Sequence, residues 1–216
     1  VIETDTPAFD PTANTFMDFR VSQQHGTTFV YTMPLDEKRA LVEYTLFSKS
    51  LLPGQAYDEG LRNYIEEYLK LTDYRITEQE FGVIPMTNYR YPPGEGRLVN
   101  IGTAGGQTKA SSGYTFQFIQ KHSDAIINSL IMYGNPRPES YHGERYRFYD
   151  RVLLEVLSRG ELGGAEIFTR MFRRNSVQRI FRFLDNDSFL PEELLLIGSL
   201  PTMPFLRAAI NWKARG

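Results

Sequence analysis

Arg97-Leu-Val-Asn-Ile101, then Gly102-Thr-Ala-Gly-Gly-Gln-Thr-Lys-Ala-Ser-Ser-Gly-Tyr114, then an apolar-periodic run to Asn128, is the stretch that decides how this chain is read. A short β-branched run enters a loop holding Gly102, Gly105, Gly106 and Gly113, and a helix leaves it, with Ser111 or Ser112 placed to cap its free N–H groups. Glycines let backbone approach a flat or charged ligand closely, and a helix start presents unpaired donors and partial positive charge to an anion. A plain strand-to-helix turn with no ligand fits the same pattern about as well.

Spacing excludes two common phosphate loops. A dinucleotide fingerprint needs glycine at the third position, where this chain has Ala104, and a P-loop needs Gly-Lys at the sixth and seventh, where it has Gln107-Thr108. The second loop of a flavin site, the one that meets the ring, stays open.

Composition bounds the remaining choices. The 216 residues are 41% hydrophobic and 23% charged, enough for one sizeable core or two small ones and unlike a disordered or fibrous chain. A net charge of -2 gives no global pull toward nucleic acid. The absence of cysteine excludes disulfides and thiolate sites and fits a reducing compartment. No uninterrupted apolar run approaches the ~18 residues of a spanning helix. Val1-Ile-Glu-Thr-Asp5 has no initiator Met and leads quickly into the strand Phe16-Met-Asp-Phe-Arg20, so a piece of a longer protein is expected.

Taken in order, Phe29-Val-Tyr-Thr-Met-Pro-Leu35 and Ala40-Leu-Val-Glu-Tyr-Thr-Leu-Phe47 read as a hairpin joined by the polar turn Asp36-Glu-Lys-Arg39. Leu41, Glu43, Thr45 and Phe47 share one face of the second strand, and Val42, Tyr44 and Leu46 the other. Both faces are largely apolar, so Glu43 is expected among hydrophobic neighbours, which is costly unless it is paired or protonated. Residues 57–71 carry the stripe Leu61, Tyr64, Ile65, Tyr68, Leu69 of an amphipathic helix. Residues 74–86 read as a strand bent at Pro85, residues 87–96 as a Pro/Gly loop, and residues 114–133 as a long helix stopped by Gly134-Asn-Pro136.

Beyond Gly143 the pattern turns helical, with helices expected over 145–158, 165–172, 176–184 and 191–200. The fold class is α+β: a sheet-rich portion over 1–97, a strand-loop-helix over 98–134, and a helical tail over 135–216.

His25, His122 and His142 lie far apart without metal-ligand spacing, so no metal site is expected. Glu66-Glu67, Glu78 with Glu80, and Glu192-Glu193 read as solvated faces or helix-start charges. Arg170, Arg173 and Arg174 share a helical face near Arg179 and Arg182, without the interleaved aromatics that nucleic acid would need, so an anionic lipid surface or plain solvation suits them better. Residues 194–212 hold one charge, Arg207, while Pro201 and Pro204 forbid a straight spanning helix. They suit a membrane interface, the cover of an apolar cavity, or an ordinary buried helix pair.

Several of these stretches, in this order, resemble the flavin-dependent lycopene cyclases of bacteria and plants. Phe16-Met-Asp-Phe-Arg20 is similar to that family's Met-Asp-Trp/Phe-Arg segment, and Phe29-Val-Tyr-Thr-Met-Pro-Leu35 to its Phe-x-Tyr-x-Met/Leu-Pro strand. Leu41-Val-Glu-Tyr-Thr45 sits where the family has Phe-Leu-Glu-Glu-Thr or Ile-Glu-Asp-Thr, and Val83-Ile-Pro-Met86 resembles its Ile-Pro-Met/Leu-Gly strand. Ile101-Gly-Thr-Ala-Gly105 with Ser112-Gly-Tyr114 resembles its Gly-x-Ala-Gly-x-x-x-Pro-x-Thr-Gly-Tyr flavin loop. The chain departs at Tyr44, where the second acid stands, at Lys109, where proline is usual, and at Ser112, which replaces threonine.

The resemblance implies the substrate sheet and flavin-ring loop of an FAD-dependent, aromatic-hydroxylase-like fold, whose dinucleotide-binding half would precede Val1. It implies cyclisation of the ends of lycopene or a related linear carotene with reduced FAD, NAD(P)H being the electron source, and no net redox change. Glu43 is then the expected catalytic acid or base, since a carboxyl on an apolar face has its neutral form favoured. Asp18 is its competitor, although Arg20 is positioned to hold it ionised. Gly102, Thr103, Ala104, Gly105, Gly106, Ser112, Gly113 and Tyr114 would contact the flavin, and Phe29, Tyr31 or Phe47 would face a cation. The enzyme would be cytoplasmic and peripheral on a membrane, with no nucleic-acid partner. Two alternatives remain at this point: another flavoenzyme on the same fold, either a hydroxylase or a prenyl-lipid reductase, and a non-catalytic polyene- or membrane-binding piece.

Overall fold

The polar turn Asp36-Glu-Lys-Arg39 reverses the chain because Asp36 Oδ1 accepts the backbone N–H groups of Lys38 and Arg39, each at 2.8 Å, in place of a longer loop. In this computed structural model the turn joins β3 (Thr27–Pro34) to β4 (Arg39–Phe47) in a continuous antiparallel ladder. With β1 (Ile2–Glu3), β2 (Thr15–Asp18) and β5 (Arg75–Ile76) they form one antiparallel sheet in the order β2-β3-β4-β1-β5. The structure describes residues 1–138 and 143–213, without the side chains of Trp212 and Lys213, so His142 and the indole at the end of the apolar tail lie outside it.

The chain is α+β and divides into two compact units, Val1–Gly82 with Gly163–Glu166, and Val83–Leu162 with Ile167–Gly216. In the first unit, helix α1 (Gly54–Glu67) lays Tyr64 and Ile65 of its apolar stripe on Ile2, Val30, Ala40 and Val42 of the sheet. Burying those side chains contributes ~1.5–3 kcal/mol each and accounts for this face of the hairpin.

The strand expected over 74–86 shrinks to the two residues of β5. Phe81, Val83 and Ile84 are exposed, and without a neighbouring strand to pair with, their β propensity has nothing to express itself against. The run at 98–101 likewise forms no strand and leads into a 3-10 turn, Gly102–Gly105.

The second unit is helical: α2 (Phe116–Tyr133), α3 (Glu144–Arg159), the body of α4 (Gly164–Arg174), α5 (Val177–Leu184), α6 (Leu190–Gly198) and α7 (Thr202–Lys213). Gly134 and Gly160 end α2 and α3 in the left-handed conformation that glycine adopts without a Cβ penalty. Side chains such as Val156, Ile167, Phe168, Ile180 and Leu196 fill the interior.

Glu192-Glu193 are helix-start charges, as expected, but Glu193 is not a solvated one. It lies in the first turn of α6 but is fully buried, where its carboxylate accepts from Tyr149 Oη at 2.9 Å and Ser188 Oγ at 3.1 Å and pairs with Arg145 Nε at 2.9 Å. Burial, reinforced by the Glu193 carboxylate, pushes the Tyr149 phenol up to about 12, so it stays a donor at neutral pH. Glu193→Ala is expected to cost about 2–3 kcal/mol, because two hydroxyls lose a charged acceptor inside the bundle while the half-exposed Arg145 is rehydrated. An unchanged denaturant midpoint would contradict this packing.

Candidate functional site

Cross-strand register fixes what surrounds Glu43. It stands opposite Tyr31, with Thr45 opposite Phe29 and Thr27 opposite Phe47, so these six share one sheet face, the reverse of the one covered by α1. Phe29 makes edge-to-face contacts with Phe19, Tyr31 and Phe47 at 5.5, 5.2 and 5.2 Å between centroids, and Phe16 meets Tyr31 at 5.3 Å. A carboxylate thus borders a cluster of five aromatic rings. Glu43 itself is exposed, and its Oε1 accepts from Thr45 Oγ1 at 2.9 Å. The expectation of a carboxyl enclosed among apolar neighbours is corrected: side-chain alternation puts Glu43 on the aromatic face but leaves its headgroup in water. Of the three aromatics expected to face a cation, Phe29 and Tyr31 are buried and only Phe47 is part-exposed.

Tyr44, in the place of a second acid, points the other way. Its ring lies on α1, where a Cβ at Gly60 would stand 2.7 Å from it, and burial raises its phenol above the usual value.

Asp18 is separated from Glu43 by a bulge. Counting regularly from the pair Thr15↔Thr32 would set Asp18 opposite Phe29 on the aromatic face. Instead Met17 takes a left-handed φ of 58°, the register shifts, and Asp18 stands opposite Val30 on the α1 face. There it accepts from Tyr64 Oη at 2.9 Å and from Arg20 Nε and Nη2 at 2.9 and 2.5 Å. Burial works to raise its pKa, but the hydrogen bonds from Arg20 and Tyr64 outweigh it and hold the carboxyl below its usual range. Asp18 is therefore an ionised tie between β2 and α1.

In the second unit, the glycine loop turns through Gly102 at φ 65° and Gly106 at φ 78° and reaches α2 after Gly113 at φ 76°. The helix begins at Phe116, three residues past Gly113, and neither Ser111 nor Ser112 caps it. Ser111 Oγ donates to Asp150 Oδ1 at 2.6 Å, and Ser112 Oγ accepts from the Tyr114 N–H at 3.5 Å. Gly105 is required by the loop itself, since a Cβ would stand 2.1 Å from the Asn100 carbonyl oxygen. A hydroxyl chain runs from Thr103 to Thr108 to Thr115, each step 3.0 Å, and Thr115 Oγ1 donates to the Gly113 carbonyl.

What holds this loop is Lys109. Its buried Nζ pairs with Asp150 of α3 at 2.9 Å and donates to Asn186 Oδ1 at 2.7 Å, with Tyr146 and Phe183 rings 5.8 and 5.7 Å away. Sequence reading singled out Lys109 only as a departure from a family pattern. A usable signal was present: it is the only charged residue between Arg97 and Lys121, so it is the one residue of that loop that demands a partner if buried.

The residues fit a flavin ring edge. At Gly113, whose φ of 76° favours glycine, a Cβ would stand in ordinary contact with the Ile84 side chain, the nearest carbon at 3.5 Å. No side chain caps the 18-residue α2, which leaves its first N–H groups available to an anionic pole.

The Asp18 tie generates a pH prediction. A carboxyl whose pKa is depressed by folding stabilises the native state above its unfolded value, about 4, and loses that contribution as pH falls through the depressed value. Asp18→Asn is expected to be less stable than the parent at pH 7, with the difference shrinking toward pH 2–3. Urea melts showing the same difference across that range would contradict the assignment.

A family model described as "Lycopene cyclase protein" matches residues 1–210, and no solved structure matches the chain. The match covers the sheet with Glu43, the glycine loop, and the helices as far as most of α7. The chain belongs to the lycopene cyclase family, whose role is that of a carotenoid cyclase.

Proposed function

We propose that the chain carries the proton-transfer and ring-contacting parts of a flavin-dependent β-cyclase that closes the linear ends of lycopene into β-ionone rings without net redox change. The observation behind this reading is Glu43 at the border of the ring cluster Phe16, Phe19, Phe29, Tyr31 and Phe47.

Glu43 donates its proton to the terminal double bond, leaving a tertiary cation. The neighbouring double bond attacks that carbon, closing the ring and moving the positive charge onto it, and a base removes a ring proton. One proton enters and one leaves, so atoms and electrons balance. A hydrocarbon lying over the aromatic face displaces water from the exposed Glu43 headgroup, and desolvation favours the neutral acid that protonation of an alkene requires. Phe16 and Phe47, the more accessible rings, add ~0.5–2 kcal/mol each by cation-π attraction. Phe29 and Tyr31 back them.

Gly102, Thr103, Ala104, Gly105, Gly106, Ser112, Gly113 and Tyr114, with the uncapped start of α2, hold the flavin ring. When bound and reduced by NAD(P)H, the flavin would supply negative charge without net electron transfer to the product. The Lys109–Asp150 pair fixes the loop against α3, and the Thr103–Thr108–Thr115 hydroxyls orient its polar lining.

The substrate is insoluble in water and is taken from a membrane. No helix among the described residues is long and apolar enough to cross one, and α6 and α7 meet at a bend of 118°. Leu190, Leu194, Leu195, Met203, Leu206 and Ile210 are exposed on this pair. This apolar exposure supports reading the pair as an interfacial anchor, on the cytoplasmic side in this proposal.

Glu43→Gln in the full-length protein is expected to keep fold and flavin while cyclisation falls at least about 100-fold, the lower range for a lost general acid. Parental rates of cyclic carotene formation in lycopene-accumulating cells would refute the role. Leu194→Glu with Leu206→Glu is expected to move the protein from the membrane pellet to the soluble fraction; unchanged partition would refute the anchor.

A further inference from the structure

Between Ile167 and Leu184 the chain carries Arg170, Arg173, Arg174, Arg179 and Arg182 and no carboxylate, in a protein whose net charge is -2. Folding does not neutralise this local excess. Of these arginines only Arg182 has an ion-pair partner among the described residues, Glu192 of α6. Arg173 is exposed without a partner, and half-buried Arg170 has its Nε enclosed, a donor left without an acceptor among the described residues. Arg174 and Arg179 reach neutral groups, the Ser199 carbonyl at 3.4 Å and Asn175 Oδ1 at 3.1 Å. Arg170, Arg173 and Arg174 follow i, i+3, i+4 spacing on one side of α4, so their charges repel unless an anion lies over them. The negative pole of α4 answers Arg173 and Arg174 in its last turn, but not Arg170 before it or Arg179 inside α5.

What lies beside the arginines identifies the anion. Asn175 Nδ2 donates to Ser199 Oγ at 2.9 Å, so the basic end of α4 is bonded to the end of α6, where the chain bends into α7. The Arg182–Glu192 pair ties the end of α5 to the first turn of α6. The guanidinium groups are thereby held beside the two helices that expose Leu194, Leu195, Met203, Leu206 and Ile210, and α5 adds exposed Val177 and Phe181 one turn apart. A free phosphate or a nucleic acid would answer the charge and leave these apolar side chains in water. An anionic phospholipid answers both, because its acyl chains take the apolar side chains below the level at which its phosphate meets guanidinium forks.

We propose that the corner formed by α4 and α5 is a headgroup site for anionic phospholipid, with Arg173 as its principal phosphate contact, Arg170 and Arg174 adding charge behind it, and the α6–α7 pair inserted alongside. The inference rests on the interfacial anchor proposed above and adds to it the class of lipid and the residues that select it.

Co-sedimentation of the purified full-length protein with vesicles of phosphatidylcholine alone, and of phosphatidylcholine mixed with phosphatidylglycerol, tests the site. The mixed vesicles are expected to bind the protein more tightly, by a margin that shrinks as salt is raised. Binding to them falls roughly fivefold in Arg173→Gln and roughly 25-fold when Arg170→Gln is added, about the contribution of one arginine near an anionic surface for each change. Arg173→Lys keeps most of the binding, Arg62→Gln on α1 leaves it unchanged, and partition onto pure phosphatidylcholine is the same in every variant. Arg173 is exposed, so its variants keep the parental melting temperature. Equal binding to the two kinds of vesicle, or a preference for phosphatidylglycerol unchanged in Arg173→Gln, would overturn the headgroup site and leave the apolar anchor standing; binding to neither would overturn both. Displacement from the mixed vesicles by inorganic phosphate at matched ionic strength, or tighter Arg173-dependent binding to duplex DNA, would give the arginines to another anion and overturn the site equally.

Discussion

Eight consecutive cross-strand pairs between β3 and β4 determine which side chains share a face, and the chemistry of the first unit follows from that register. One face supplies Val30, Ala40 and Val42 to α1; the other gathers Phe29, Tyr31, Phe47 and Glu43. A slip of one residue would exchange the two sets and put Tyr44 where Glu43 stands. The bulge at Met17 completes the separation by sending Asp18 to the helix face and Phe16 to the aromatic one. Two carboxylates that look equivalent along the chain therefore have different surroundings: one is tied by Arg20 and Tyr64, and the other stands exposed beside the aromatic rings.

The second unit is organised by buried charge. Lys109 with Asp150, and Glu193 with Arg145, Tyr149 and Ser188, each take polar groups out of water and compensate them with several partners. Such pairs add little net stability against an apolar replacement, but breaking one is costly, so they fix position more than they strengthen the fold. For the glycine loop, position matters: a loop built on left-handed glycines has little rigidity of its own, and Lys109 supplies it by pairing with Asp150 of α3.

Most elements were legible because their signals are local. The hairpin showed in its alternation and its Asp36 turn, α1 in its Leu61, Tyr64, Ile65 stripe, and the end of α2 in Gly134. Misreadings fell where a distant group decides. Residues 74–86 have strand composition but, beyond β5, no strand to pair with. Ser111 looked like a cap and is instead a donor to Asp150, and Glu193 looked like surface charge because its three partners come from α3 and from the residues just before α6. The Met17 bulge leaves no mark in composition; without it, Asp18 and Glu43 would share a face. The exposure of Glu43 was missed for a related reason, since a strand's period gives the face and not the depth.

In the proposed reaction, rings close by proton transfer, with the redox cofactor contributing charge and no net electrons. Mass spectrometry of carotene formed in D2O by the full-length enzyme tests it directly. The donated proton comes from an exchangeable carboxyl, and the proton lost leaves from a different carbon. Each ring closed in this way therefore retains one deuterium from solvent, and none from nicotinamide labelled with deuteride. Cyclic product without solvent deuterium, or carrying the nicotinamide label, would contradict it.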